Sequence, residues 1–104
     1  MATFDMTSRC KADVARLSPG SREKFKAAAL LLAESLNSGA SFPKSLRVRR
    51  FNRSATEWEL TWAPNGRAVF ELHHPSPLGA THKHVRWVAV GGHEVFDNRR
   101  AANR

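Results

Sequence analysis

The run Trp58-Glu59-Leu60-Thr61-Trp62-Ala63-Pro64-Asn65-Gly66-Arg67-Ala68-Val69-Phe70 constrains this chain more than any other stretch. Apolar and polar residues alternate on both sides of Pro-Asn-Gly, the pattern of two strands joined by a tight turn. With Pro64 and Asn65 in a type I turn and Gly66 in the left-handed position after it, Ala63 is expected opposite Arg67. Trp62 then opposes Ala68, Leu60 opposes Phe70 and Trp58 opposes Leu72. That register gathers the large apolar residues on one face and leaves Glu57, Glu59, Thr61, Arg67, Val69 and Glu71 on the other. A two-residue turn would set Leu60 opposite Glu71 and mix the faces. One face is read as core, the other as a mostly polar working surface.

The preceding half supplies helices. Residues Ala2 to Thr7 alternate and suit a short strand. A brief helix follows, capped by Thr7 or Ser8, with Cys10, Val14 and Leu17 along one stripe until Ser18-Pro19-Gly20. The main helix starts at Ser18 with Pro19, or at Ser21, buries Phe25, Ala29, Leu32 and Leu36, and stops at Gly39. Lys44 to Phe51 alternates apolar and cationic residues and reads as a strand or extended edge. The segment from His73 to Ala80 is a loop by its Pro, Gly and Ser content. His84 to Val90 is apolar on both sides, a strand covered on both faces. A turn at Gly91-Gly92-His93 leaves a histidine at the sheet rim, and residues 98–104 form a polar, frayed tail. The expectation is an α+β fold in one domain, residues 1–97, with order β-α-α-β-β-β(-β). Two N-terminal helices pack on one face of a small, mostly antiparallel, twisted sheet.

Charge points to the partner. Seventeen Lys and Arg against nine Asp and Glu give a formal charge of +8 on 104 residues, which favours a polyanion. Nucleic acid fits better than membrane, because the cations are mostly Arg on a globular pattern and no apolar run is long enough to span a bilayer. The first residues lack the features of a secretion signal, so a cytoplasmic location is expected. Cys10, the one cysteine, reads as a small buried hydrophobe. His73, His74, His82 and His84 have no thiolate partner and a loop spacing unsuited to zinc, so neither metal nor cofactor is expected.

Four pieces together resemble the RelE/ParE superfamily of toxins from bacterial type II toxin–antitoxin modules. They are Pro43-Lys44-Ser45-Leu46, Trp58-Glu59-Leu60, Gly66-Arg67-Ala68-Val69-Phe70 and Val90-Gly91-Gly92-His93-Glu94-Val95-Phe96. The resemblance runs from Ala2 to about Asp97. It implies a ribosome-dependent endoribonuclease that cuts mRNA in the decoding site, or, in the ParE branch, an inhibitor of DNA gyrase. In either case the implied partner is a cognate antitoxin. Arg67 matches the hairpin arginine that contacts the scissile phosphate, and His93 falls where relatives place a histidine or arginine. Lys44 resembles an RNA-binding lysine, and Glu59 an acidic position after the hairpin tryptophan. Phe96 stands at or near a frequent catalytic tyrosine; a phenyl ring stacks on a base but moves no proton.

Metal-independent RNA cleavage needs a base for the 2′-OH, cations on the phosphate and an acid for the leaving 5′-oxygen. His93 can serve as base or acid, since an imidazole titrates near neutrality. Arg67 can grip a phosphate through two hydrogen bonds, or form an ion pair with Glu59 or Glu57 across the hairpin. Glu59 either orients the arginine, the preferred role, or acts as general base. Lys44, Arg47, Arg49 and Arg50 would track the RNA backbone, with Arg86 adding to the same cleft. Trp58, Trp62 and Trp87 read as core rather than as stacking platforms. A non-catalytic nucleic-acid-binding module remains the third alternative.

Overall fold

The helices form where their end signals place them. The computed structural model describes residues 2–39, 41–51, 56–73 and 83–92. Strand β1 (Ala2–Met6) passes through Thr7, whose hydroxyl accepts the Cys10 N–H at 3.1 Å and caps helix α1 (Ser8–Arg16). Ser18 caps helix α2 (Pro19–Ser38) in the same way, with Pro19 at its first position. The helix ends at Gly39, φ 74°, whose N–H reaches back to Leu36 and Ser35 carbonyls. Its 20 residues span about 30 Å. Phe25, Ala28, Leu32 and Leu36 are buried against the sheet, and Cys10 of α1 joins the same core. Burial, and then the Asp13 charge, push the Cys10 thiol up to about 12. It is a packing residue, not a nucleophile.

The segment expected to be a strand from Lys44 to Phe51 is mostly something else. Leu46 and Arg47 donate their N–H groups to Pro43 and Lys44 carbonyls, closing a 3₁₀ turn over Lys44–Leu46 that buries Leu46. Arg47 ends the turn in the left-handed region, φ 48°, and only Arg49–Arg50 pair as strand β2. Strands β3 (Glu57–Ala63), β4 (Gly66–His73) and β5 (Lys83–Gly92) complete a sheet of order β1-β5-β4-β3-β2. All neighbours are antiparallel except β1 with β5. Both helices lie on one face, so the α+β architecture matches expectation.

The hairpin register differs from expectation by two residues. Trp58 pairs with Phe70, Leu60 with Ala68, Thr61 with Arg67 and Ala63 with Gly66, leaving Trp62 as the extra residue of a bulge. Gly66 is not left-handed; among the described residues only Gly39 and Arg47 are. Its lack of a side chain serves the indole instead, since a Cβ there would lie 2.6 Å from Trp62 ring atoms. The Trp62 Nε1–H also donates to the Arg67 carbonyl at 2.8 Å. Because the displacement is an even number, the faces survive: Leu60, Ala68 and Phe70 meet the helices and Arg67 does not.

The second face is less polar than expected. Between Val69↔Ala89 and Phe70↔Trp87 the register shifts, so Val88 bulges from β5. Trp87 and Val90 then pack under the helices, while Val69, Val88 and Ala89 form a small second core with Phe51. Strand β5 is therefore covered on both faces, as its unbroken apolar run implied. Beyond Met6 its free edge is closed by α1. The Thr7 hydroxyl donates to the Val88 carbonyl at 3.0 Å, and buried Asp13 accepts the Val90 N–H at 3.2 Å.

Candidate nucleic-acid interface

The bulged tip of the β3–β4 hairpin stands off from the first half of α2 and from the 3₁₀ turn, leaving a cleft of about 650 Å³. Lys24 of α2, Arg47 and Arg67 line it from three separate elements, over a floor that includes Ala27, Leu31 and Trp62. No carboxylate lines it among the described residues. Arg67 is half-buried and folds over the turn, where its Nη1 donates to the carbonyls of Gly66 at 3.0 Å, Pro64 at 3.3 Å and Ala63 at 3.4 Å. Nε and Nη2 make no such bonds among the described residues. The ion pair of Arg67 with Glu59 or Glu57, one of the sequence alternatives, is absent: Arg67 faces Thr61 in the register, and an arginine of β2, on the far side of β3, takes Glu59.

That arginine is Arg49, directly opposite Glu59 in the register. Its Nε and Nη2 donate to Glu59 Oε1 at 3.1 and 2.9 Å, and Glu59 is only 2% exposed. The carboxylate is thus a buried anchor for the edge strand. Arg50 turns to the other face and stacks 4.5 Å over the Trp58 ring. Lys44 is exposed on the 3₁₀ turn. The basic run from Lys44 to Arg50 therefore divides: Arg47 faces the cleft, Arg49 and Arg50 hold the sheet edge.

Arg86 lies elsewhere. It shares the face of Arg67, but it pairs with Glu71, four residues or roughly 13 Å along β4. Its guanidinium grips Asp5 of β1 through Nε at 3.2 Å and Nη2 at 3.2 Å. The hydrogen bond raises the Arg86 pKa and lowers that of Asp5, to which the His84 imidazole also bonds at 3.1 Å. His84 completes its bonding with Thr3 at 2.7 Å, and His73 pairs with Glu71. Among the described residues no three metal-ligating side chains cluster.

His93 and Phe96 lie outside the described residues, as do His74, His82, the loop 74–80 and the tail 98–104. The strand that leads to His93 is described: Gly91 pairs with Arg67 and Gly92 with Gly66. Trp58 and Trp62 are half-buried against the core and Trp87 is buried, so the core reading of the tryptophans holds. Lys24 was missed by sequence reasoning. Its signal was the exposed Lys24-Ala27-Leu31 row, immediately beside the core stripe and ending on a Leu that is 43% exposed.

No protein-family model and no curated protein sequence matches the chain. Solved structures do. The E. coli DinJ–YafQ toxin–antitoxin complex contains a chain that superposes with TM-score 0.69 and 14% identity, covering 90% of this chain and 94% of that one. The RelB–RelE antitoxin–toxin complex of Methanococcus jannaschii gives 0.63 at 13% identity, covering 90% and 95%. A YoeB/ParE toxin from Agrobacterium tumefaciens gives 0.62 at 13%, covering 88% and 98%. Two helices on one face of a five-stranded mixed sheet, over nearly the whole length of both chains, is the fold of the RelE-like toxins.

Proposed function

We propose that this chain is the toxin of a type II toxin–antitoxin pair and acts as an endoribonuclease on mRNA at the ribosome, inhibiting translation in the cytoplasm until its antitoxin binds it. The observation that carries the reading is Arg67: a guanidinium held at the hairpin tip through one nitrogen, paired with no carboxylate among the described residues, opposite the strand end that leads to His93. Holding Nη1 on three carbonyls leaves Nε and Nη2 to present two parallel N–H bonds to a phosphate. The attack of a 2′-OH piles charge on the phosphoryl oxygens, and a pre-placed guanidinium stabilises that charge without reorganising. His93 takes the 2′-OH proton or supplies one to the leaving 5′-oxygen, and Phe96 stacks on a base. Glu59 is a positioning residue that fixes Arg49 rather than a base, because it is closed off from solvent. The toxin fold of the neighbours supports the antitoxin partner.

Primer extension on cellular messages after expression of the wild type, Arg67→Ala and His93→Ala is the test. Arg67→Ala should lose about 10²-fold or more of cleavage, and His93→Ala a loss in the range of roughly 10² to 10⁴. Equal cleavage by all three, or none by the wild type, would refute the reading. Inhibition of purified gyrase by the wild type would place the chain with the gyrase poisons instead.

A further inference from the structure

We infer that the cleft between α2 and the hairpin tip is a second phosphate site, through which single-stranded RNA runs from Arg67 across Lys24 and Arg47. This deepens the nuclease reading and rests on it for the identity of the polyanion. Several cations elsewhere on the fold are paired: Arg49 with Glu59, Arg86 with Asp5 and Lys26 with Glu23, while Arg9 and Arg16 share Asp13. Among the described residues Lys24, Arg47 and Arg67 have no ion pair, and all three line one cleft to which no described carboxylate contributes.

Two further observations favour a bound ligand. Arg47 holds a left-handed backbone, φ 48°, although a glycine would adopt it without strain; the side chain it carries lies in the cleft. The floor combines the methyl of Ala27, the exposed Leu31 and the Trp62 indole, an apolar bed for a ribose or base beneath cations for its phosphate. A volume near 650 Å³ falls in the range of roughly 300–1,000 Å³ typical of sites for ligands the size of a nucleotide. RNA is favoured over an acidic peptide because the cleft is continuous with Arg67 and pairs each exposed cation with apolar surface, the pattern of single-strand binding.

The test is binding of a short, single-stranded 2′-O-methyl oligoribonucleotide, which cannot be cleaved, to the purified full chain at several salt concentrations. Lys24→Gln and Arg47→Asn, the latter tolerant of a left-handed backbone, should each weaken binding and reduce the slope of log affinity against log salt by about 0.7. Lys11→Gln, on the exposed side of α1, should leave both unchanged. A slope in Lys24→Gln equal to that of the wild type, or no binding by the wild type, overturns the proposal. So does a Lys24→Gln protein that binds RNA normally but no longer co-purifies with an antitoxin, which would assign the cleft to an acidic protein segment. Reduced slopes without any cleavage on ribosomes would uphold the RNA path while removing the nuclease reading.

Discussion

Gly66 shows how one residue can be indispensable for a reason other than the one its position suggests. In a turn after Pro-Asn it reads as a left-handed glycine, yet its backbone is not left-handed and the constraint is the Trp62 ring 2.6 Å from where a Cβ would sit. Gly66→Ala must push the indole off, breaking its bond to the Arg67 carbonyl. The expected loss is ~1–3 kcal/mol in urea unfolding, with a changed tryptophan emission. A Trp62→Leu background should remove most of that penalty. The face of Arg67 was legible because strand alternation is insensitive to a two-residue slip; the bulge was not, because it depends on an indole finding room over the glycine across the turn.

At the scale of elements, what local chemistry decides was readable and what the tertiary neighbours decide was not. Thr7, Ser18, Pro19 and Gly39 marked the helix ends because caps are satisfied within a few residues. The run Lys44–Phe51 has strand-like alternation, but Leu46 is drawn into the core by a 3₁₀ turn, and only two residues are left to pair. Asp13 gave no sign of its role. Buried on α1, it accepts the Val90 N–H at the edge of β5 that β1 does not reach. Asp13→Ala should orphan that N–H and cost about 1–3 kcal/mol of stability in chemical denaturation. Hydrogen exchange at Val90 should rise accordingly.

For the whole molecule, the joint between β1 and β5 ties the two ends of the sheet-forming sequence together, and Asp5–Arg86 lies across it. The Arg86 bond holds the Asp5 carboxyl below its ordinary 3.8. A depressed folded pKa gives a contribution that is complete above the unfolded value and disappears as pH falls through the folded one. Between neutral pH and pH ~3, Asp5→Asn should therefore lose less stability on acidification than the wild type. Unfolding midpoints across that range check it; parallel curves would show that the pair adds nothing. The net charge of +8 suggested a polyanion but not a place for it, since Arg49 and Arg86 on the sheet are matched by carboxylates.

Parallel pairing of the first strand with the last has a consequence during synthesis. Ala2–Met6 must wait for Lys83–Trp87, and β4 for the same strand, so a nascent chain halted before those residues leaves two strands without their shared neighbour. The core closes only once β5 has left the ribosome. Until then Gly91 is not set beside Arg67, and the candidate site is incomplete.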